Sequence, residues 1–227
     1  MQQATAAYGE GVGTEFLAGL TTRDLRPKQT ALLNHPLWAG IQTLTTTPEQ
    51  LARFALQDIF LIRESYRLDS LTIAKAPTPE AAEALIAKLT PKSGAADTLL
   101  RFGKAVGLTP EDFANAAPLA PCLALTAQFY YHLARSSFAE VVACLGASET
   151  IFLEICGRIE APLRHYGFTA EQREFFSFHE ALEPAERATT EMLRPLVTTE
   201  AEKEAVTRAA EMCYSFETMF YDAVLSG

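Results

Sequence analysis

The sequence has no paired-cysteine signature. Its four cysteines, Cys122, Cys144, Cys156 and Cys213, stand far apart in apolar stretches. No CxxC or CxxH spacing occurs, which argues against a structural zinc site. Scattered, reduced and buried thiols fit a cytoplasmic protein. Basic charge is also scarce. Nineteen Lys and Arg face 28 Asp and Glu, a net charge of −9. Neutralising phosphates needs a basic surface, so a nucleic-acid partner is not expected. No apolar run is long enough to cross a membrane and no signal-peptide pattern is found, so no membrane partner is expected either. Strand-type alternation, internal repeats and low-complexity linkers are absent too.

What is present is a chain of 227 residues, 48% of them hydrophobic, enough for one good core. The first ~20 residues are small, polar and Gly-containing and read as a loose arm. Residues 21–227 read as a single domain.

Nearly every long segment carries helical spacing. Thr47, Pro48 and Glu49 supply an N-cap, a proline at the first helical position and an acid in the first turn. Apolar residues then recur through Phe54, Leu61 and Leu71 as far as Ala76. A second start, Thr109-Pro110-Glu111, follows the stop at Gly107. A long apolar helix is predicted from about Leu123 to Leu145. Gly146 is read as a break or bend, and the next helix runs to about His165 and ends at Gly167. Thr169 with Gln172 and Thr199 with Glu202 have capping-box spacing. They open two last helices, roughly 170–196 and 199–225. The expectation is an all-α bundle of about seven helices.

The stretch FFSFHEALEPAERATTEML, residues 175–193, is the most informative polar segment. On a helix, His179, Glu183 and Glu186 share a face. Glu149, in LGASETIFLEI, lies on the preceding helix. It is about as far back from the turn near Gly167 as Glu183 and Glu186 are forward, ~25 Å at 1.5 Å per residue. The two sets can meet at one level of the bundle. Converging carboxylates need a cation, shared protons or a basic partner. A solvated acidic stripe and a metal or small-molecule site both remain open from the residues alone. His132 reads as a core or rim histidine, and His35 as capping or packing near the start of the first helix.

These residues resemble the haem-oxygenase-like superfamily, which includes thiaminase II (TenA), the oxidase PqqC, and haem-oxygenase-like diiron oxidases with the chlamydial protein CADD. The diiron members carry His-x3-Asp-x2-His; here the pattern is His179, Glu183, Glu186. Their Glu ahead of a turn like LRHYGF falls on Glu149. NHPLWAGI, PEQLARFALQD and SFETMFYDAVL are similar to the family's early and closing helices. The likeness spans about residues 30–225. Counting back from Gly107, Lys88 falls where the diiron members have a ligand Glu, and Ala95 where they have a ligand His. Thiaminase II has a cysteine near Ala147, Ser148 and Glu149, where this chain has none. Its acidic partners are matched by Asp58 and Glu217.

The resemblance implies a haem-oxygenase-like fold, a homodimer and a small-molecule substrate. Its leading functional expectation is an oxidase, with either one Fe or Mn ion or no cofactor. Glu149, His179, Glu183 and Glu186 would hold the metal. Without metal, His179 would act as base, with Glu149 as a further catalytic group and Lys88 holding an anionic substrate. Haem is not expected, because His35 lacks the surroundings of the haem-degrading branch. The alternatives are a TenA-like hydrolase of an aminopyrimidine or thiamin-type substrate, using Asp58, Glu149 and Glu217, and a degenerate bundle that binds a ligand or partner.

Overall fold

The computed structural model describes residues 20–89, 92, 94–182, 189 and 191–227. The predicted N-terminal arm lies almost wholly outside them, as do Glu183 and Glu186. The described residues form α1 (Arg26–Leu33), α2 (Pro36–Thr43), α3 (Pro48–Lys75), α4 (Pro79–Leu89), α5 (Ala95–Ala105), α6 (Pro110–Asn115), α7 (Ala120–Arg135), α8 (Phe138–Ile159), α9 (Glu174–Glu180) and α10 (Glu200–Ser226). Two 3-10 segments, Pro162–Tyr166 and Arg194–Leu196, complete the order. Ten α-helices among the described residues replace the seven expected. None is long and apolar enough to cross a membrane.

The helix starts follow local chemistry. Thr47 accepts from Gln50 N while the Gln50 side chain accepts from Thr47 N, a reciprocal capping box. Thr109 with Asp112 and Thr199 with Glu202 do the same. His35 caps α2 through Nδ1, which accepts from Leu37 N at 3.2 Å. Gly107 and Gly167 take φ of 90° and 82°, a backbone that favours glycine.

Two predicted boundaries differ. The break between the central helices falls at Ser136-Ser137, not at Gly146. Ser137 forms a capping box with Glu140 and so starts a new helix. Gly146 lies within α8, where a glycine costs only about 1 kcal/mol and does not end a well-packed helix. The predicted helix over 170–196 is also shorter. Thr169 and Gln172 make their box, but the α-helix begins at Glu174 and its cap is Ala181. The helical register that aligned His179 with Glu183 and Glu186 is therefore not continuous through the described residues.

The helices surround one apolar core. α10 packs along α8 and α7, and α3 closes against α5, α4 and α7. At the centre Trp38 meets Phe54 and Tyr221 edge-on, each at 5.0 Å between ring centroids. Phe102 meets Phe176 in the same manner at 5.0 Å. Edge-to-face aromatic packing adds specificity beyond burial, and it fixes the rotation of α3 and α10 about their axes.

Candidate active site

Three long helices each turn one stripe toward a shared cavity of about 130 Å³. From α3 come Asp58, Ile62, Ser65 and Asp69, at i, i+4, i+7 and i+11. From α8 come Leu145, Ser148, Glu149 and Phe152, and from α10 come Glu217, Phe220 and Tyr221. These spacings are the one-face pattern of a helix, with polar residues placed inside an otherwise apolar stripe. Phe129, Phe152 and Phe220 supply flat apolar walls. Cavities of roughly this size admit one aromatic ring.

One end of the cavity is acidic. Asp58 and Glu217 are 7% and 3% exposed. Ser148 Oγ donates to Glu217 Oε1, and Tyr221 also bonds the Glu217 carboxylate. Burial pushes Glu217 up to about 7, and the two hydroxyls oppose that rise. Burial, and then the Glu217 charge, push Asp58 up to about 8. Cys156 lies in the same core and its thiol is held protonated by burial, which makes it an inert packing residue.

The other end is an ion cluster. Lys88 Nζ donates to Glu149 Oε2, and Lys92 Nζ donates to Glu149 Oε1. Lys92 Nζ also reaches Asp69 Oδ2 at 3.1 Å. Tyr66 fastens the lysine segment by donating its hydroxyl to Lys92 O at 3.0 Å. Ser148 and Glu149 are consecutive, so about 100° of helix rotation sends one to each end of the cavity.

His179 stands beside the cluster, edge-on to Phe152 and Phe175 at 5.2 and 4.4 Å. Its Nδ1 lies 2.7 Å from Phe175 O. A carbonyl only accepts, so Nδ1 carries the proton and Nε2 keeps its lone pair. Burial pushes its pKa down to about 4, with Lys92 adding to the fall and the Phe175 carbonyl and Glu149 opposing it. The ring is neutral at pH 7.

Five of the predicted residues therefore meet. Asp58, Glu149, His179 and Glu217 line the cavity, and Lys88 reaches it through Glu149. Glu183 and Glu186 lie outside the described residues. Ser148, Asp69, Lys92 and Tyr221 were not singled out as site residues. Asp69 had a findable signal, since it is three turns from Asp58 on one helix face. His132 is a core histidine whose Nδ1 lies 2.8 Å from Ser136 Oγ, as the sequence suggested.

Of the four predicted donors, Glu149 and His179 are described, and both oxygens of Glu149 face ammonium groups, one of them shared with Asp69. Among the described residues no group of three or more His, Cys, Asp or Glu is arranged to hold an ion.

A family model for the TENA/THI-4/PQQC family matches residues 22–226. A TenA homologue from Pseudomonas syringae is similar in structure, with a TM-score of 0.77 at 15% identity over 93% of each chain. A TenA homologue from Pyrococcus furiosus gives 0.78 at 16% identity, covering 92% of this chain and 99% of that one. A domain with a haem-oxygenase-like fold from Shewanella denitrificans gives 0.76 at 16% identity over 88% of each chain. The fold is thus haem-oxygenase-like. No curated protein matches the sequence.

Proposed function

The chain belongs to the TENA/THI-4/PQQC family, and on that basis we propose that it is a hydrolase of an aminopyrimidine or a related aminoheterocycle. The observation that carries this reading is the pair Asp58 and Glu217, two buried acids in one cavity, with hydroxyl groups on Glu217. The hydroxyls favour the charged form of Glu217, and that charge favours keeping the proton on Asp58. One acts as base and the other as acid, the division of labour that acid–base catalysis requires.

A flat heteroaromatic ring fits between the phenylalanine walls. A protonated Asp58 donates a hydrogen bond to a ring nitrogen or to the leaving nitrogen. Glu217, held by Ser148 and Tyr221, takes a proton from a water molecule in the cavity. The water oxygen forms the new bond to carbon, the carbon–nitrogen bond breaks, and the departing amine takes its proton from Asp58. Preorganised donors and acceptors in a water-poor site make such a step cheaper than in bulk water.

The metal-dependent form of the oxidase reading relied on Glu149, His179, Glu183 and Glu186 as donors, and its cofactor-free form on His179 as base with Lys88 holding the substrate. The lysines on Glu149 weigh against the metal-dependent form. The test is incubation of the purified chain with thiamin and with aminopyrimidine amides, followed by chromatography of the products. Wild-type protein releases a free pyrimidine product. Glu217→Gln lowers kcat by at least ~100-fold, the usual weight of a lost general base, while leaving KM within a few fold. Absence of pyrimidine release from all of these substrates rejects the proposal.

A further inference from the structure

We propose that Lys88 and Lys92 fill the cation position of this cavity, so that Glu149 and Asp69 serve as charge partners of two ammonium groups rather than as metal ligands. A carboxylate that binds a metal offers one or both oxygens to it. Here Lys88 Nζ sits on Oε2 of Glu149 and Lys92 Nζ on Oε1. Lys92 also bridges to Asp69. Lys88 is 3% exposed, so its charge is fixed inside the protein with its counter-ion.

A divalent ion brought to Glu149 would sit against both ammonium groups in a poorly solvated place, where like charges repel strongly. Among the described residues the two ammonium groups balance the two carboxylates, so the cluster carries its own counter-charge. It needs no exchangeable ion, and no chelator can strip it. The same contacts tie parts of the fold together at one end of the cavity: Asp69 of α3, Glu149 of α8, Lys88 of α4, and Lys92. Lys88 also occupies the position at which the resemblance places a ligand Glu in the diiron members. This inference does not depend on the hydrolase reading, because its test reads metal and not turnover.

The full chain, purified without chelator, is assayed by elemental analysis and titrated calorimetrically with Mn(II) and, anaerobically, Fe(II). Wild-type protein is expected to carry no stoichiometric metal and to show no saturable binding. Lys88→Ala/Lys92→Ala removes the built-in charge and is expected to bind Mn(II) at least about tenfold more tightly than wild type. Near one Fe or Mn per wild-type chain, lost in Glu149→Ala, overturns the proposal. So does a folded double variant that binds no better than wild type. If the double variant does not fold, the wild-type melting temperature decides. It is expected not to move with Mn(II) or EDTA, and a rise with Mn(II) that EDTA reverses overturns the proposal.

Discussion

The charge on Glu217 helps keep the proton on Asp58, and the two acids line the same cavity from α10 and α3. Neither helix alone would show this. Each supplies one of the two acids, and the edge-on contacts of Trp38 with Phe54 and Tyr221 set the rotation that brings the two stripes together.

Holding Asp58 protonated has a cost in stability. An aspartate in the unfolded chain titrates near 3.8, and the folded one at about 8. Between these values the unfolded chain sheds a proton that the folded chain keeps. The contribution of Asp58 is therefore fully present below pH 3.8 and is lost as pH rises toward 8. Asp58→Asn has no such titration. Relative to wild type it should gain stability from pH 4 to pH 8, by on the order of a few kcal/mol at the upper end. Urea unfolding at pH 5 and pH 8 checks this; parallel curves for the two proteins would contradict it.

Ser148 acts through Glu217. Its hydroxyl donates to Oε1 and lowers the proton affinity of that carboxyl. Ser148→Ala should move the acidic limb of the activity profile to higher pH. At pH 7 the rate should fall by roughly 7- to 80-fold, since a hydrogen bond to a charged group is worth about one to two units of carboxyl pKa. Ser148→Thr keeps a donor and should restore part of the loss. A uniform drop with an unmoved limb would point to damaged packing instead.

His179 makes the opposite contribution to that of Asp58. Its ring titrates near 6.5 when unfolded and at about 4 when folded. The stability it supplies as a neutral ring is fully present above pH 6.5 and is lost as pH falls toward 4. His179→Phe retains the aromatic contacts with Phe152 and Phe175 and removes the titration. The stability of wild type relative to this variant should fall by at most about 3 kcal/mol between pH 7 and pH 4. Denaturant melts at the two pH values measure it.

Much of the fold was legible. The Thr-Pro starts at Thr47 and Thr109 and the stop at Gly167 have local causes, and local causes can be read from sequence. The joint at Ser136-Ser137 was hidden because apolar spacing runs on through both flanking helices and Gly146 offered a stronger-looking signal. Glu149 was legible as an acid set among apolar neighbours, whereas Asp58 and Glu217 were singled out through the resemblance to thiaminase II. Lys92 was not, because it lies beyond the end of α4, where no helical period assigns a direction to its side chain. Without Lys92, the charge at Glu149 looked unbalanced and suggested a metal. Ser148 was hidden by its neighbour, since only the packing of α8 on α10 shows which of two consecutive residues faces Glu217.

The pH dependence of kcat/KM for pyrimidine release tests the central claim most directly. It reports the acid and base of the free enzyme. The predicted profile for wild type is a bell, rising with Glu217 at about 7 and falling with Asp58 at about 8. Asp58→Asn should be slower and should lose the alkaline fall. A wild-type profile that is flat from about pH 6 to pH 9, or a bell left unchanged in shape by Asp58→Asn, would contradict the assignment of the two acids.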